Sequence, residues 1–145
     1  MSLSSVFDIA GSGMSAQTVR LNTTSSNIAN AESVASSVDK TYRARHPVFM
    51  AQYTAALGQG VTDPVTGDST AGVNVAGVVE SSAPLQYRYE PDHPYADKDG
   101  YVAYPNVNVV EEMTNMISAS RSFQTNADVM HTAKQMLSQV LNLGQ

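Results

Sequence analysis

The chain has 145 residues, of which 42% are hydrophobic and only 14% are charged. This length provides for one compact domain with long appended helices and leaves little room for a second domain. The net charge of -5 and eight scattered Lys and Arg residues exclude nucleic-acid binding, because phosphate contacts need clustered basic side chains. The absence of cysteine excludes a disulfide framework and any thiolate nucleophile or thiolate metal site.

The N-terminal region lacks the basic start and apolar block of a Sec-type signal. A run of about 18 apolar residues, the length that a membrane-spanning helix needs, occurs nowhere in the sequence. We therefore expect neither Sec export nor direct membrane insertion.

The first predicted element is an N-terminal core helix within residues 1–31. Alternating spacings of four and three residues select a narrow hydrophobic seam, whose largest members are Leu3, Phe7, Met14, Leu21 and Ile28. A narrow seam is typical of coiled-coil pairing rather than of a helix lying on a globular core. Gly11 and Gly13 each weaken an exposed helix by about 1 kcal/mol, so we expect this helix to form only when it is packed.

The middle zone, residues 32–106, carries strand and turn signals and predicts a small, loop-rich β insertion. The strand signals are TYRARHPVF (41–49), VNVAGVVE (73–80) and LQYRYE (85–90), which are rich in β-branched and aromatic residues. Glycines and a proline between Gly58 and Gly72 predict a long loop, and Asp99-Gly100 predicts a turn near the end of the sheet.

The last zone, residues 107–145, predicts a second core helix, from Val109 to about Leu141. Its start signal comprises Asn108 as the cap, with Glu111 and Glu112 in the first turn. The same alternating spacing selects a second seam, whose large hydrophobic members are Val109, Met113, Met116, Phe123, Met130, Leu137 and Leu141. The two helices would be roughly 40 and 50 Å long, so we expect them to pair with each other and with neighbouring subunits.

Both predicted helices carry mostly Ser, Thr, Asn and Gln beside the seam, where solvated coiled coils carry Glu and Lys. Asp8 and Arg20 are the only charges between Leu3 and Ile28. Neutral polar faces can be buried against copies of themselves at small cost, whereas buried charges cost several kcal/mol unless they are paired. The alternative interpretation, a plain two-helix core with an uncharged surface, stays open on composition alone.

Residues that could support catalysis or bind a metal form no recognisable site. His46, His93 and His131 lie in different zones and lack the spacing of a zinc site. Glu111 and Glu112 are adjacent, and adjacent helix residues point apart, so they do not form an acid pair. The segment around Asp99 is an incomplete calcium loop, because Asn106 stands where the twelfth position requires an acid. The sequence predicts no catalytic residue, metal ligand or cofactor.

Two stretches resemble the flagellar axial and rod protein family. NIANA, residues 27–31, is similar to the NxANAxT signature shared by flagellar rod, hook and related axial proteins. Residues 99–121, DGYVAYPNVNVVEEMTNMISASR, closely resemble the C-terminal signature of proximal rod proteins, which TYRARHPVF also resembles. The chain departs from the family pattern after the NIANA motif, where residues 32–37 replace the usual threonine and Gly-Tyr pair.

The resemblance implies a structural subunit of the bacterial flagellar basal-body rod that polymerises through its terminal helices into a tubular drive shaft. It implies a mainly α fold in which the helices pair in a coiled-coil-like bundle, and an assembly interface made of both seams together with Asn27 and Asn30. The implied partners are other copies of the chain, other rod proteins, ring and adaptor proteins of the basal body, and the flagellar type III export apparatus. Another exported axial protein of the hook, distal rod or needle type is the alternative, and a wall-cutting hydrolase is disfavoured because paired acids are missing.

Incomplete seams predict weakly ordered ends in the isolated subunit, because each helix lacks its full set of partners. Hydrogen exchange of the purified monomer should be rapid before about residue 30 and after about residue 110. Strong protection of these segments in a proven monomer would contradict this prediction.

Overall fold

The computed structural model describes residues 3–53 and 71–143. The described ends are helical, and the described part of the middle contains a short 3-10 turn (Val38–Lys40) and four strands, which confirms the prediction of a mainly α chain with a small β insertion. The helices are α1 (Leu3–Ala29) and α2 (Val109–Leu143). The strands are β1 (Arg45–Tyr53), β2 (Ala71–Glu80), β3 (Gln86–Tyr89) and β4 (Tyr101–Tyr104).

The two helices pack against each other in antiparallel orientation. Toward the end of α1 and near the start of α2, the Arg20 guanidinium donates a hydrogen bond of 3.0 Å to Asn115 Oδ1. Nearer the start of α1, a Cβ atom placed on Gly13 would lie 3.0 Å from Asn126 Nδ2. Residues later in α1 therefore contact residues earlier in α2, which is the antiparallel arrangement. The predicted pairing of the terminal helices is confirmed.

Small side chains allow the helices to approach closely. Four alanines are at most 3% exposed: Ala10, Ala16, Ala119 and Ala133. Because an alanine adds only a methyl group to the contact, it brings the backbones together but removes little apolar surface from water. The pair is therefore stabilised by close packing of the two helices rather than by a large hydrophobic core.

The described strands form two antiparallel sheets of two strands each, β1–β2 and β3–β4. The predicted strands at 73–80 and 85–90 correspond to β2 and β3, whereas the segment 41–49 covers only the first part of β1. β4 follows the predicted Asp99-Gly100 turn, where Gly100 has a φ of 80°. Of the predicted loop, residues 58–70 lie outside the described residues, and Gly72 belongs to β2.

A small core lies beneath β4 and the start of α2. Val102 is fully buried, Tyr104 is 8% exposed and Val107 is 6% exposed. Val107 packs with Ala31 and Ala44, which joins the segment before α2 to the end of α1. This core anchors the β region to one end of the helical pair.

Asn27, in the NIANA motif, locks the end of α1 to the start of β1. Its side chain is fully buried. Nδ2 donates to the Arg45 carbonyl oxygen at 2.8 Å, and Oδ1 accepts from the Arg45 N–H at 2.9 Å and from the Tyr42 hydroxyl at 2.8 Å. Only an amide side chain supplies both a donor and an acceptor in this arrangement. The side-chain amide of Asn27 therefore pairs with the backbone of Arg45, the first residue of β1, as the backbone of a neighbouring strand would.

Asn106 makes a second lock of the same kind. Its Oδ1 accepts from the Ala44 N–H at 2.8 Å, and its Nδ2 donates to the Ala83 carbonyl oxygen at 2.9 Å. Asn106 stands just before α2, so its amide joins this segment to the residues that precede β1 and β3. The orientation of the β region relative to the helices depends on these bonds.

We expect Asn27→Ala to destabilise the chain by about 3 kcal/mol, because it leaves buried backbone and hydroxyl groups without hydrogen-bond partners. Urea unfolding of the purified chain measures this loss. The matched control is Asn30→Ala, since Asn30 Nδ2 makes only a local bond of 2.8 Å to the Ser26 carbonyl oxygen. Equal losses of unfolding free energy from the two substitutions would show that the hydrogen bonds of Asn27 to β1 do not stabilise the fold.

Candidate assembly surface

The start of α2 carries the three residues predicted as its start signal. Asn108 Oδ1 accepts a hydrogen bond of 3.2 Å from the Val110 N–H, which satisfies one of the unpaired donors at the helix N-terminus. Glu111 is exposed and, within the described residues, makes no return bond to Asn108, so the capping box is half formed. The negative charge of Glu111 still interacts favourably with the helix dipole.

Glu112 differs from Glu111 because it is only 5% exposed. It lines a cleft of about 320 Å³ between α1, α2 and β1, together with Arg20, His46 and Phe49. The ion pairs of the described residues are Arg45–Glu80 and Arg88–Glu32, so Glu112 has no counter-charge at ion-pair distance there. Its position in the helix contact was not evident from sequence, where it was predicted only as a residue of the first helical turn.

On α1, the seam predicted from sequence is half-buried. This group comprises Phe7, Met14, Leu21 and Ile28. The side chain of Leu3 lies outside the described residues. The residues that α1 buries almost completely are small or polar, including Thr23, Thr24 and Asn27, whereas Asn30 is half-buried. The threonine hydroxyls bond to the carbonyl oxygens of Val19 and Arg20, so they enter the contact without unpaired groups.

On α2, the side facing α1 coincides with one half of the predicted seam. Met116, Phe123, Met130 and Leu137 are half-buried. Between these matching residues, the other positions that contact α1 lie one residue earlier in the chain than the seam predicted. They are Glu112, Ala119, Asn126 and Ala133. Val109 is half-buried, while Met113 is 52% and Leu141 71% exposed. Glu112, Ala119, Asn126 and Ala133 recur every seven residues, so their spacing was present in the sequence. The prediction missed it because it considered large hydrophobic side chains, whereas these positions are polar or alanine.

Large apolar side chains remain exposed on two other sides of α2. Successive residues of a helix are rotated by about 100°, so residues i, i+3 and i+7 share a side. The first group, which we call the leading face, is 73%, 52% and 57% exposed at Val110, Met113 and Ile117. The second group, the trailing face, is 44%, 48% and 62% exposed at Val129, Met136 and Val140. Neither face is covered by α1.

Few charges accompany these faces. The charged residues along α2 apart from the buried Glu112 are Glu111, Arg121, Asp128 and Lys134. Several hydroxyls are turned back onto the helix, for example Thr114 Oγ1 onto the Val110 carbonyl and Thr125 Oγ1 onto the Arg121 carbonyl. A surface of this kind loses little hydration free energy when another protein covers it.

The described part of the chain contains no group of three metal-ligating side chains close enough to hold an ion. No helix among these residues is long and apolar enough to cross a membrane. Among the described residues, burial, and then the hydrogen bond to Glu90, raise the pKa of the Tyr104 hydroxyl, and the hydrogen bond to Glu32 raises the pKa of Arg88. Both shifts keep the donor protonated, as expected for groups that hold parts of a fold together.

Comparison with known proteins identifies the class to which this architecture belongs. Residues 7–34 match the family described as flagella basal body rod protein, and residues 98–143 match the family described as flagellar basal body rod FlgEFG protein C-terminal. The two matches cover α1 and α2, the elements that form the helical pair. The chain is a structural subunit of the flagellar basal-body rod.

Relatives over the whole length narrow the assignment. The flagellar basal-body rod proteins FlgC of Salmonella typhimurium and of Escherichia coli O6:H1 are 50% and 49% identical to the chain, with complete coverage of both sequences. The FlgC protein of Borreliella burgdorferi is 35% identical, with 100% of this chain and 99% of the relative covered. The chain therefore belongs to the FlgC family of flagellar basal-body rod proteins, as the sequence resemblance predicted.

Replacement of the buried Glu112 should have a small effect. Glu112→Gln removes the interaction with the helix dipole but also removes a poorly solvated charge, and these opposing terms should leave the unfolding free energy within about 1 kcal/mol of the parent. Urea unfolding, with Glu111→Gln as the exposed control, measures the change. Completed basal bodies and motility, scored in the same strains, should persist; complete rods without motility would require a chemical step at Glu112.

Proposed function

We propose that the chain enters the rod through its helical pair, with the leading and trailing faces of α2 covered by neighbouring subunits. The observation that carries this proposal is the exposure of the six large apolar side chains of these two faces, at 44–73%, beside few charges. Burial of apolar surface contributes about 25 cal/mol for each Å² removed from water. Association of neighbouring helical pairs is the direct way to remove this surface.

The position of the two faces suits a polymer. The leading face lies near the start of α2 and the trailing face near its end, and they point in different directions around the helix axis. A contact between unlike faces of two copies leaves one of each face free for the next copy, which generates an open helical array rather than a closed pair. A tubular shaft requires such an open array.

The residues proposed for the interface have different roles in this arrangement. Met113 and Leu141 are exposed and are available to a neighbour directly. The half-buried residues of both seams shape the pair and present their remaining surface at its edges. Asn27 acts indirectly, since its side chain holds β1 in place. Residues 1–31 and 107–145 form the assembly unit of this proposal, and residues 32–106 form the separate outer region.

Assembly with other rod components follows from membership of the family. We further propose contacts with ring and adaptor proteins of the basal body and delivery by the flagellar type III export apparatus. These partners are supported by the family relationship.

The test is Ile117→Asp, which places a charge on the leading face. Because Ile117 is 57% exposed, the isolated chain should unfold within about 0.5 kcal/mol of the parent. Rod completion and motility should nevertheless be lost while the subunit is still exported, since burial of an unpaired charge costs several kcal/mol at each contact.

The matched control is Ser118→Asp, which introduces the same charge at the next exposed position, about 100° around the helix. Basal bodies counted by electron microscopy and motility of the same strains provide the comparison. Equal effects of the two substitutions, or normal rods with Ile117→Asp, would refute a contact through the leading face.

A further inference from the structure

The β3–β4 hairpin has one buried face and one face made largely of tyrosine. Directly opposed residues of antiparallel strands share a face. Val102 lies opposite Arg88 and Tyr104 lies opposite Gln86, and the side chains of Val102 and Tyr104 are buried. Tyr89 opposes Tyr101 and Tyr87 opposes Ala103, so these residues occupy the outer face.

We call Tyr87, Tyr89 and Tyr101 the tyrosine face. Their side chains are 59%, 65% and 47% exposed. The rings of Tyr89 and Tyr101 meet edge to face with centroids 5.4 Å apart, and within the described residues none of the three hydroxyls makes a hydrogen bond. Tyrosine is one of the side chains enriched at the energetic centres of protein interfaces.

The connection between β3 and β4, which adjoins this face, carries net negative charge. Its four acids are Glu90, Asp92, Asp97 and Asp99, and its one basic residue is Lys98. Backbone bonds close this connection next to Tyr101: the Glu90 N–H donates to the Gly100 carbonyl and the Asp97 N–H to the Tyr101 carbonyl, both at 2.9 Å. The Glu90 carboxylate accepts from the Tyr104 hydroxyl on the other face of the hairpin, whereas the remaining three acids of the connection are exposed. The face combines aromatic rings with carboxylates, which is complementary to arginine.

The opposite side of the same hairpin already binds an arginine in this way. The Arg88 guanidinium carbon lies 4.3 Å from the centroid of the Tyr104 ring, and Arg88 donates to the carboxylate of Glu32 at 3.1 Å. A guanidinium stacked on an aromatic ring and paired with a carboxylate gains from both interactions. The outer face offers similar chemistry with no arginine in place.

A second copy of the chain is poorly suited to supply that arginine. Four of its eight basic residues already make hydrogen bonds within the chain, namely Arg20, Arg43, Arg45 and Arg88. The other four are Lys40, Lys98, Arg121 and Lys134, which are widely separated in the sequence. The net charge of -5 also opposes contact between two such acidic surfaces.

We propose that the tyrosine face docks an arginine-bearing surface of a different protein of the rod. This contact lies in the outer region and adds to the helical contacts of α2, which bind neighbouring subunits by apolar burial. The acidic surroundings select against a second copy and favour a basic partner.

The first test replaces Tyr89 with a photoreactive benzoylphenylalanine in flagellated cells, followed by irradiation of intact basal bodies and sequencing of the cross-linked peptides. We expect an adduct with a different rod component, at a peptide that contains Arg. An adduct with a second copy, or no adduct in completed basal bodies, would overturn the proposal.

The second test uses substitutions. Tyr87→Ser together with Tyr89→Ser should lower the number of completed basal bodies by about tenfold, because loss of an interface tyrosine costs at least about 1.4 kcal/mol. Tyr87→Phe with Tyr89→Phe, which keeps the rings, should lower it much less. Normal numbers with the serine variant would overturn the proposal.

Asp92→Lys together with Asp99→Lys keeps the test independent of folding, since both acids are exposed. Reversal of their charge should reduce basal-body completion while the thermal unfolding of the isolated chain remains unchanged. Unaltered completion would overturn the electrostatic part of the proposal. Because Ile117→Asp alters α2 only, failure of the helical contact and failure of the tyrosine face are distinguishable.

Discussion

The close antiparallel contact of α1 and α2 determines what the rest of the chain can do. Alanine at the contact positions lets the helices approach, so the larger side chains of both seams lie at the edges of the pair and stay half-exposed. A contact of small residues removes little apolar surface from water. The helices therefore pair in a defined way while much apolar surface stays exposed and can be buried by neighbouring subunits. This is appropriate for a rod protein.

Two asparagines connect this helical pair to the β region. Asn27 joins the end of α1 to Arg45 at the start of β1, and Asn106 joins the segment before α2 to Ala44 and Ala83. Amide side chains satisfy backbone groups that would otherwise be buried without partners. These bonds join the helices to the β region at a junction where hydrophobic burial is modest.

The two kinds of exposed surface differ in chemistry and suggest different partners. The faces of α2 are apolar and nearly uncharged, so they suit contact with like subunits. The tyrosine face adjoins an acidic connection and suits a basic partner. This difference in chemistry would let one short chain bind several neighbours specifically, each at its own surface. A contact with the wrong surface would bury unpaired charge and is therefore disfavoured.

The sequence by itself determined the helical ends, their bounds within about two residues, and the family, because periodicity over many turns and motifs at both ends are local signals. It also indicated β2, β3 and the first part of β1. Only the tertiary structure decided that Glu112 is buried and Glu111 exposed, that β4 pairs with β3, and that Asn27 bonds to Arg45. These features depend on the rotation of one helix against another and on residues distant in sequence. The alanine contacts illustrate the reason: a methyl side chain carries almost no pattern in a sequence, yet at a helix crossing its small volume decides which residues meet.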